Sequence, residues 1–148
     1  MSQKLGEIKQ VGIVVRDIEK AIKVYENVFG IGPFQIFELD SERLQNVKVD
    51  DTEGPLRARL AFAKSGDLEI ELIQILEGRT VFTDFLDKYG EGIHHLGFLV
   101  QDLDLELEKM KASGIKVIQK GISRGKNKYA YLDSAKTCGV IYELIQRG

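Results

Sequence analysis

The chain reads as an α+β fold made by duplication, two tandem copies of a strand–helix–three-strand (βαβββ) unit. Three observations predict it. Ile8-Lys9-Gln10-Val11-Gly12-Ile13-Val14-Val15-Arg16-Asp17 lies over Ile93-His94-His95-Leu96-Gly97-Phe98-Leu99-Val100-Gln101-Asp102 at a constant offset of 85, so that Gln10 meets His95, Gly12 meets Gly97 and Asp17 meets Asp102. Glu71-Leu72-Ile73-Gln74 recurs letter for letter as Glu143-Leu144-Ile145-Gln146, at an offset of 72. Each first run is followed by a capping Asp, then by apolar residues at helical spacing, then by runs of strand type. The expected organisation is one domain over residues 1–148, with repeats at about 7–76 and 93–147 and a linker helix at about 80–90.

The elements follow in order. Met1 to Gly6 is polar and reads as a frayed start. Glu7 to Val15 is a strand. Asp17 is a good N-cap, and Ile18, Ala21, Ile22, Tyr25, Val28 and Phe29 recur at helical spacing until Gly30 stops them. Pro33 to Leu39 is the next strand. Asp40 to Pro55 is charged and patternless, a loop or irregular edge strand in the part that the second copy lacks, and so a candidate lid or substrate loop. Leu56 to Ala63 alternates, Lys64-Ser65-Gly66-Asp67 turns, and Leu68 to Leu76 is a further strand. Val81, Phe82, Phe85, Leu86 and Tyr89 mark the linker helix, ended by Gly90-Glu91-Gly92. The second copy has a strand from Ile93 to Val100, Asp102 as cap, and a helix with Leu103, Leu107 and Met110 inward, closed by Gly114. Ile115 to Ile118, Lys128 to Leu132 and Val140 to Gln146 are its remaining strands, with turns at Gly121 to Asn127 and Ser134 to Gly139.

Composition narrows the function. Hydrophobic content of 43% with 30% charged residues is globular. A net charge of −2 gives no reason to expect a nucleic-acid or membrane partner. The single cysteine, Cys138, excludes an internal disulfide and fits a reducing compartment. The first ten residues lack an apolar signal core and no run has membrane-spanning length, so the expected location is cytoplasmic.

Four polar residues stand at the echoed positions. Strand alternation puts Gln10 with Gly12 and Val14, His95 with Gly97 and Leu99, Glu71 with Glu69 and Ile73, and Glu143 with Ile141 and Ile145. Singly, each has an ordinary reading: a core histidine, a strand Glu facing water, a Gln without signal. Together they form two pairs at equivalent places. A carboxylate is costly to bury alone, but two carboxylates, an imidazole and an amide are satisfied by one divalent cation, whose 2+ charge the carboxylates cancel. Such oxygen and nitrogen donors suit zinc, nickel, cobalt, manganese or iron.

These residues resemble the vicinal oxygen chelate superfamily, which includes glyoxalase I, methylmalonyl-CoA epimerase, extradiol dioxygenases and bleomycin-resistance proteins. The resemblance runs from Ile8 to Gln146. It rests on Gln10 before Val11-Gly12-Ile13-Val14, on Ile70-Glu71-Leu72, on His95-Leu96-Gly97 and on the closing Glu143-Leu144. It implies that each unit curls into a cup, giving a curved, barrel-like, mostly antiparallel sheet around one metal held by Gln10, Glu71, His95 and Glu143. The Gln, Glu, His, Glu set resembles animal-type glyoxalase I. Methylmalonyl-CoA epimerases usually show His first and Gln second, and extradiol dioxygenases use two His and one Glu. Glu77-Gly78-Arg79 and Phe85 through His95 look more like the epimerase branch, and Tyr131-Leu132-Asp133-Ser134 to Cys138-Gly139-Val140 lacks the Asp-Pro-x-Gly turn of many glyoxalases.

What both branches share is removal of a proton next to a carbonyl, through a metal-stabilised enediolate. The resemblance implies Glu143 as the catalytic base, with Glu71 its symmetric counterpart, and a likeness to lactoylglutathione lyase or methylmalonyl-CoA epimerase. The expected partner is a small carbonyl compound, such as a glutathione hemithioacetal or a coenzyme A thioester, and the expected assembly is a homodimer. The competing readings are a binding or resistance protein of the same fold and an iron-dependent dioxygenase. His94 alternates away from His95 and reads as structural. Arg57 and Arg59 share a face and either grip a substrate anion or line a solvated edge; Arg124, Lys126 and Lys128 form a small basic patch.

Overall fold

The computed structural model describes residues 5–40, 48–49, 53–122 and 126–148. The expected loop from Asp40 to Pro55 falls largely outside these residues, as does Arg124. The fold class is the α+β class that the duplication predicts. The chain divides into two compact units, one of residues Gln10–Gln45 and Thr52–His94, the other of Met1–Lys9, Asn46–Asp51 and His95–Gly148.

The unit that begins at Gln10 carries strands in the order β2 (Gln35–Asp40), β4 (Glu53–Ser65), β5 (Leu68–Arg79) and β1 (Ile8–Val14). Only the β1–β5 pair is parallel; β4 runs antiparallel to both its neighbours. Helix α1 (Ile18–Asn27) begins at Asp17, whose carboxylate accepts from the Lys20 N–H at 3.1 Å. Gln74 Oε1 accepts from the Ile18 N–H at 3.0 Å, which satisfies another donor that a helix start leaves open. α1 lays Ile18 and Ile22 on Ala61 and Leu72, with Ile13, Val15, Phe34 and Ile70 around them. Gln10, Gly12, Glu69 and Glu71, alternating with these, are therefore on the other face of the sheet. α1 ends at Asn27, so Val28 and Phe29 lie beyond its last turn and are 70% and 65% exposed, outside the packed stripe their spacing suggested. Helix α2 (Val81–Tyr89) starts with a reciprocal cap between Thr80 and Thr83.

The unit that includes His95 repeats the plan. Its strands run in the order β6 (Gly92–Leu99), β9 (Ile141–Gln146), β8 (Lys128–Leu132), β7 (Val117–Ile122) and the short β3 (Lys48–Val49). β6 and β9 are the parallel pair, and the rest are antiparallel. Helix α3 (Leu103–Ala112) starts at Asp102, which accepts from the Leu105 N–H, and Gln146 Oε1 accepts from the Leu103 N–H at 2.8 Å. Leu103, Ala130, Leu132 and Leu144 form the core, with Phe98, Leu107, Met110 and Tyr142 packed on it. The closing turn of the sequence reading is a short helix, α4 (Ala135–Cys138), ended by Gly139 at φ +79°. β7 runs four residues further than its apolar letters suggested, because Gln119 to Ile122 pair with Lys128 to Tyr131 regardless of their polarity. Among the described residues no helix is long and apolar enough to cross a membrane.

Candidate functional site

In each unit the parallel strand pair sets the polar residues on the face away from its helix. In the first, Gln10 stands opposite Glu69 and Gly12 opposite Glu71. Gly12 has no side chain to fill the space beside the carboxylate. Gln10 and Glu71 are each 8% exposed. The Gln10 amide Nε2 donates to Glu69 Oε1 at 2.9 Å. Phe62 stands opposite Glu71 on its other side, and Gln35 opposite Phe62.

In the second unit the corresponding row is Gly97, Glu143, Tyr131 and Gln119, each opposite the next. The two rows match residue class for residue class: glycine, glutamate, aromatic, glutamine. Sequence reading found the glycines and glutamates because their local words repeat. It missed Tyr131 and Gln119, whose strands carry no echoed letters; the signal lies in the pairing register. His95 is fully buried and Glu143 is 5% exposed. His95 Nε2 lies 3.0 Å from Glu143 Oε2, and the Tyr131 ring packs on the imidazole with centroids 5.1 Å apart. Despite that approach the pair forms no hydrogen bond, and Glu143 Oε2 is a buried oxygen with no hydrogen-bond donor among the described residues.

A buried carboxylate oxygen in this state is costly to the protein alone. It suits a cation. Two donors each about 2.1 Å from one ion are roughly 3.0 Å apart at a right angle and about 3.4 Å apart at the tetrahedral angle. The His95–Glu143 separation is of this size. Among the described residues no three side chains drawn from His, Cys, Asp and Glu gather as a ready-made cluster. The fit to a metal therefore rests on the His95–Glu143 pair and on the donor types, not on a closed cage.

The remaining candidates are placed elsewhere. His94 is buried edge-on against Phe82 and Phe85, with centroids at 4.8 and 5.3 Å. Arg59 shares a face with Ala61 and bridges Glu19 of α1 at 3.1 Å and Glu38 at 3.2 Å. It is thus on the helix-bearing side, opposite Glu71, and its guanidinium is already engaged. Arg57 Nε lies 4.0 Å from Asp40. Cys138 is exposed at the end of α4.

Residues 9–131 match the family model described as the glyoxalase/bleomycin resistance protein/dioxygenase superfamily. The chain is 29% identical over 144 residues to the uncharacterized protein YqjC of Bacillus subtilis (strain 168), covering 96% of this chain and 93% of that one. Among solved structures it resembles methylmalonyl-CoA epimerase from Mycobacterium tuberculosis, at 24% identity and a TM-score of 0.70, covering 95% of this chain and 87% of that one. It also resembles a variant of the Streptomyces coelicolor methylmalonyl-CoA epimerase in complex with 2-nitronate-propionyl-CoA, at 22% identity and a TM-score of 0.73, covering 98% and 99% of the two chains. At these identities the structural likenesses establish the fold.

Proposed function

The chain belongs to the glyoxalase/bleomycin resistance protein/dioxygenase superfamily, and from that premise we propose that it is a metal-dependent lyase or isomerase acting next to a carbonyl group. The observation that carries the reading is the buried His95–Glu143 pair, 3.0 Å apart without a hydrogen bond. Gln10, Glu71, His95 and Glu143 would hold one divalent metal, of the zinc, nickel, cobalt, manganese or iron group. A bound metal would supply Lewis acidity at the carbonyl oxygen, worth several kcal/mol to the enediolate-like transition state.

The chain's own residues do the rest. Glu143 takes the proton from the carbon beside the carbonyl and returns it, to the same carbon in an epimerisation or to its neighbour in a lyase or isomerase step. Glu71, at the equivalent place in the other unit, is its symmetric counterpart. His95 would ligate through a ring nitrogen, with the Tyr131 ring packed on the imidazole. The likeness to epimerases, one of them in complex with an acyl-CoA analogue, favours a coenzyme A thioester over a glutathione hemithioacetal. The reading also includes a homodimer located in the cytoplasm.

The test is elemental analysis of gently purified protein beside H95A and E143Q, followed by exchange of the substrate α-proton with deuterated water. Methylmalonyl-CoA and the methylglyoxal–glutathione adduct are tried in parallel. The expected result is about one transition metal per chain in the wild type, loss of metal in H95A, and at least a hundredfold slower exchange in E143Q. Absence of metal after reconstitution overturns the enzyme reading and leaves a small-molecule binding protein.

A further inference from the structure

We propose that Glu69 is a positioning residue that fixes which end of the Gln10 amide is offered to a metal, an inference that rests on the metal-site reading above. A glutamine amide has two unlike ends of nearly equal shape, an oxygen that ligates cations and an NH2 that does not. Nothing in the shape of the side chain selects between them. An ionised carboxylate can only accept hydrogen bonds, so a carboxylate beside the amide binds its NH2 end. Glu69 Oε1 takes the Gln10 Nε2 hydrogen at 2.9 Å and turns the amide oxygen away from itself.

The duplicated architecture supplies the control. Gln10 stands opposite Glu69 in the register of β1 and β5. Its equivalent, His95, stands opposite Ile141 in the register of β6 and β9. The same place in the fold thus carries a half-buried carboxylate in one unit and an isoleucine in the other. An imidazole has its own choice to make, between two ring nitrogens, and His95 is held for it by other neighbours, beside Glu143 and against the Tyr131 ring. The asymmetric amide needs an acceptor at its side. Half-burying a charge costs free energy, and this pairing gives that cost a purpose. Glu69 need touch neither substrate nor ligating atoms to act this way.

The experiment is metal affinity by competition with a chromophoric chelator, using zinc and cobalt, on the full chain. The variants are E69I, which copies the residue of the other unit, E69Q, and the double variant Q10H/E69I; wild type and E143Q frame the range. E69I is expected to bind roughly 10–100-fold more weakly, the usual size of an outer-shell loss. E69Q is expected to fall between E69I and the wild type, since an amide at 69 can accept from the Gln10 NH2 but can also turn and donate to its oxygen. Q10H/E69I, which copies the His–Ile pairing of the other unit, is expected to bind more tightly than E69I, since a ligating ring nitrogen does not depend on an acceptor at position 69. Cobalt absorption reports the same change of donor without any turnover. Wild-type affinity in E69I, with E143Q still impaired, overturns the role of Glu69 and leaves the metal site standing. No metal binding by the wild type overturns both. If thermal melting shows E69I unfolded, E69K takes its place. Its ammonium can only donate, and must draw the amide oxygen towards itself, so wild-type affinity there is equally fatal.

Discussion

E143Q is expected to make the metal-free protein more stable while abolishing its response to metal. Glu143 Oε2 is buried, has no hydrogen-bond donor among the described residues, and lies 3.0 Å from His95 Nε2. An uncompensated buried polar atom of this kind costs about 1–3 kcal/mol, more when charged. An amide in its place removes the charge, keeps the shape, and puts a donor within reach of the imidazole nitrogen. Recovering about 1–3 kcal/mol in a chain of this length raises Tm by roughly 2–12 °C. The wild type starts lower and gains from metal. At a free concentration of 100 times Kd the gain is about 2.7 kcal/mol, or roughly 5–11 °C. The assay is differential scanning calorimetry of both proteins after chelation and after zinc addition. The crossing pattern is the signature: E143Q higher without metal, wild type higher or equal with it. An E143Q protein that melts below the chelated wild type, and that zinc still stabilises, would refute the claim that Glu143 is a ligand held in waiting.

Other outcomes follow from the scaffold. Q146L removes the acceptor for the Leu103 N–H and should cost about 1 kcal/mol; hydrogen exchange should quicken at the start of α3 and leave α1 unchanged, and Q74L should do the reverse. L72A and L144A each empty a fully buried site under a helix and should each cost about 2–5 kcal/mol by urea denaturation. R59A should change substrate KM less than about twofold and stability by at most about 1 kcal/mol, since its ion pairs to Glu19 and Glu38 are partly solvated. A large rise in KM would place Arg59 at the substrate after all.

Much of this was legible in the letters because duplication writes the same local solution twice. Asp17 and Asp102 cap helices since a short acceptor is what a helix start requires, and Gly12 and Gly97 mark the same place in the two copies. The Gln of each Glu-Leu-Ile-Gln run was visible as a repeat but not as a cap, because its partner N–H is some forty to fifty-six residues distant in sequence. Glu69 was indistinguishable from a surface residue: its meaning comes from standing opposite Gln10, and register across strands is not written in either strand alone. Tyr131 and Gln119 were missed for the same reason. Val28 and Phe29 misled because helical spacing continued past the point where the helix ends.

The two Glu-Leu-Ile-Gln segments have a bearing on how such a chain can diverge. Within four residues each segment presents a carboxylate to one side of its sheet and a helix-anchoring amide to the other. The proposed chemistry and the architecture are thus wired to the first and last letters of one short word. On the proposed reading, a mutation at Glu71 or Glu143 changes reactivity without loosening the helix, and one at Gln74 or Gln146 does the opposite. Copies built this way are free to specialise one letter at a time, as Gln10 against His95 and Glu69 against Ile141 already have, while the anchoring letters stay shared.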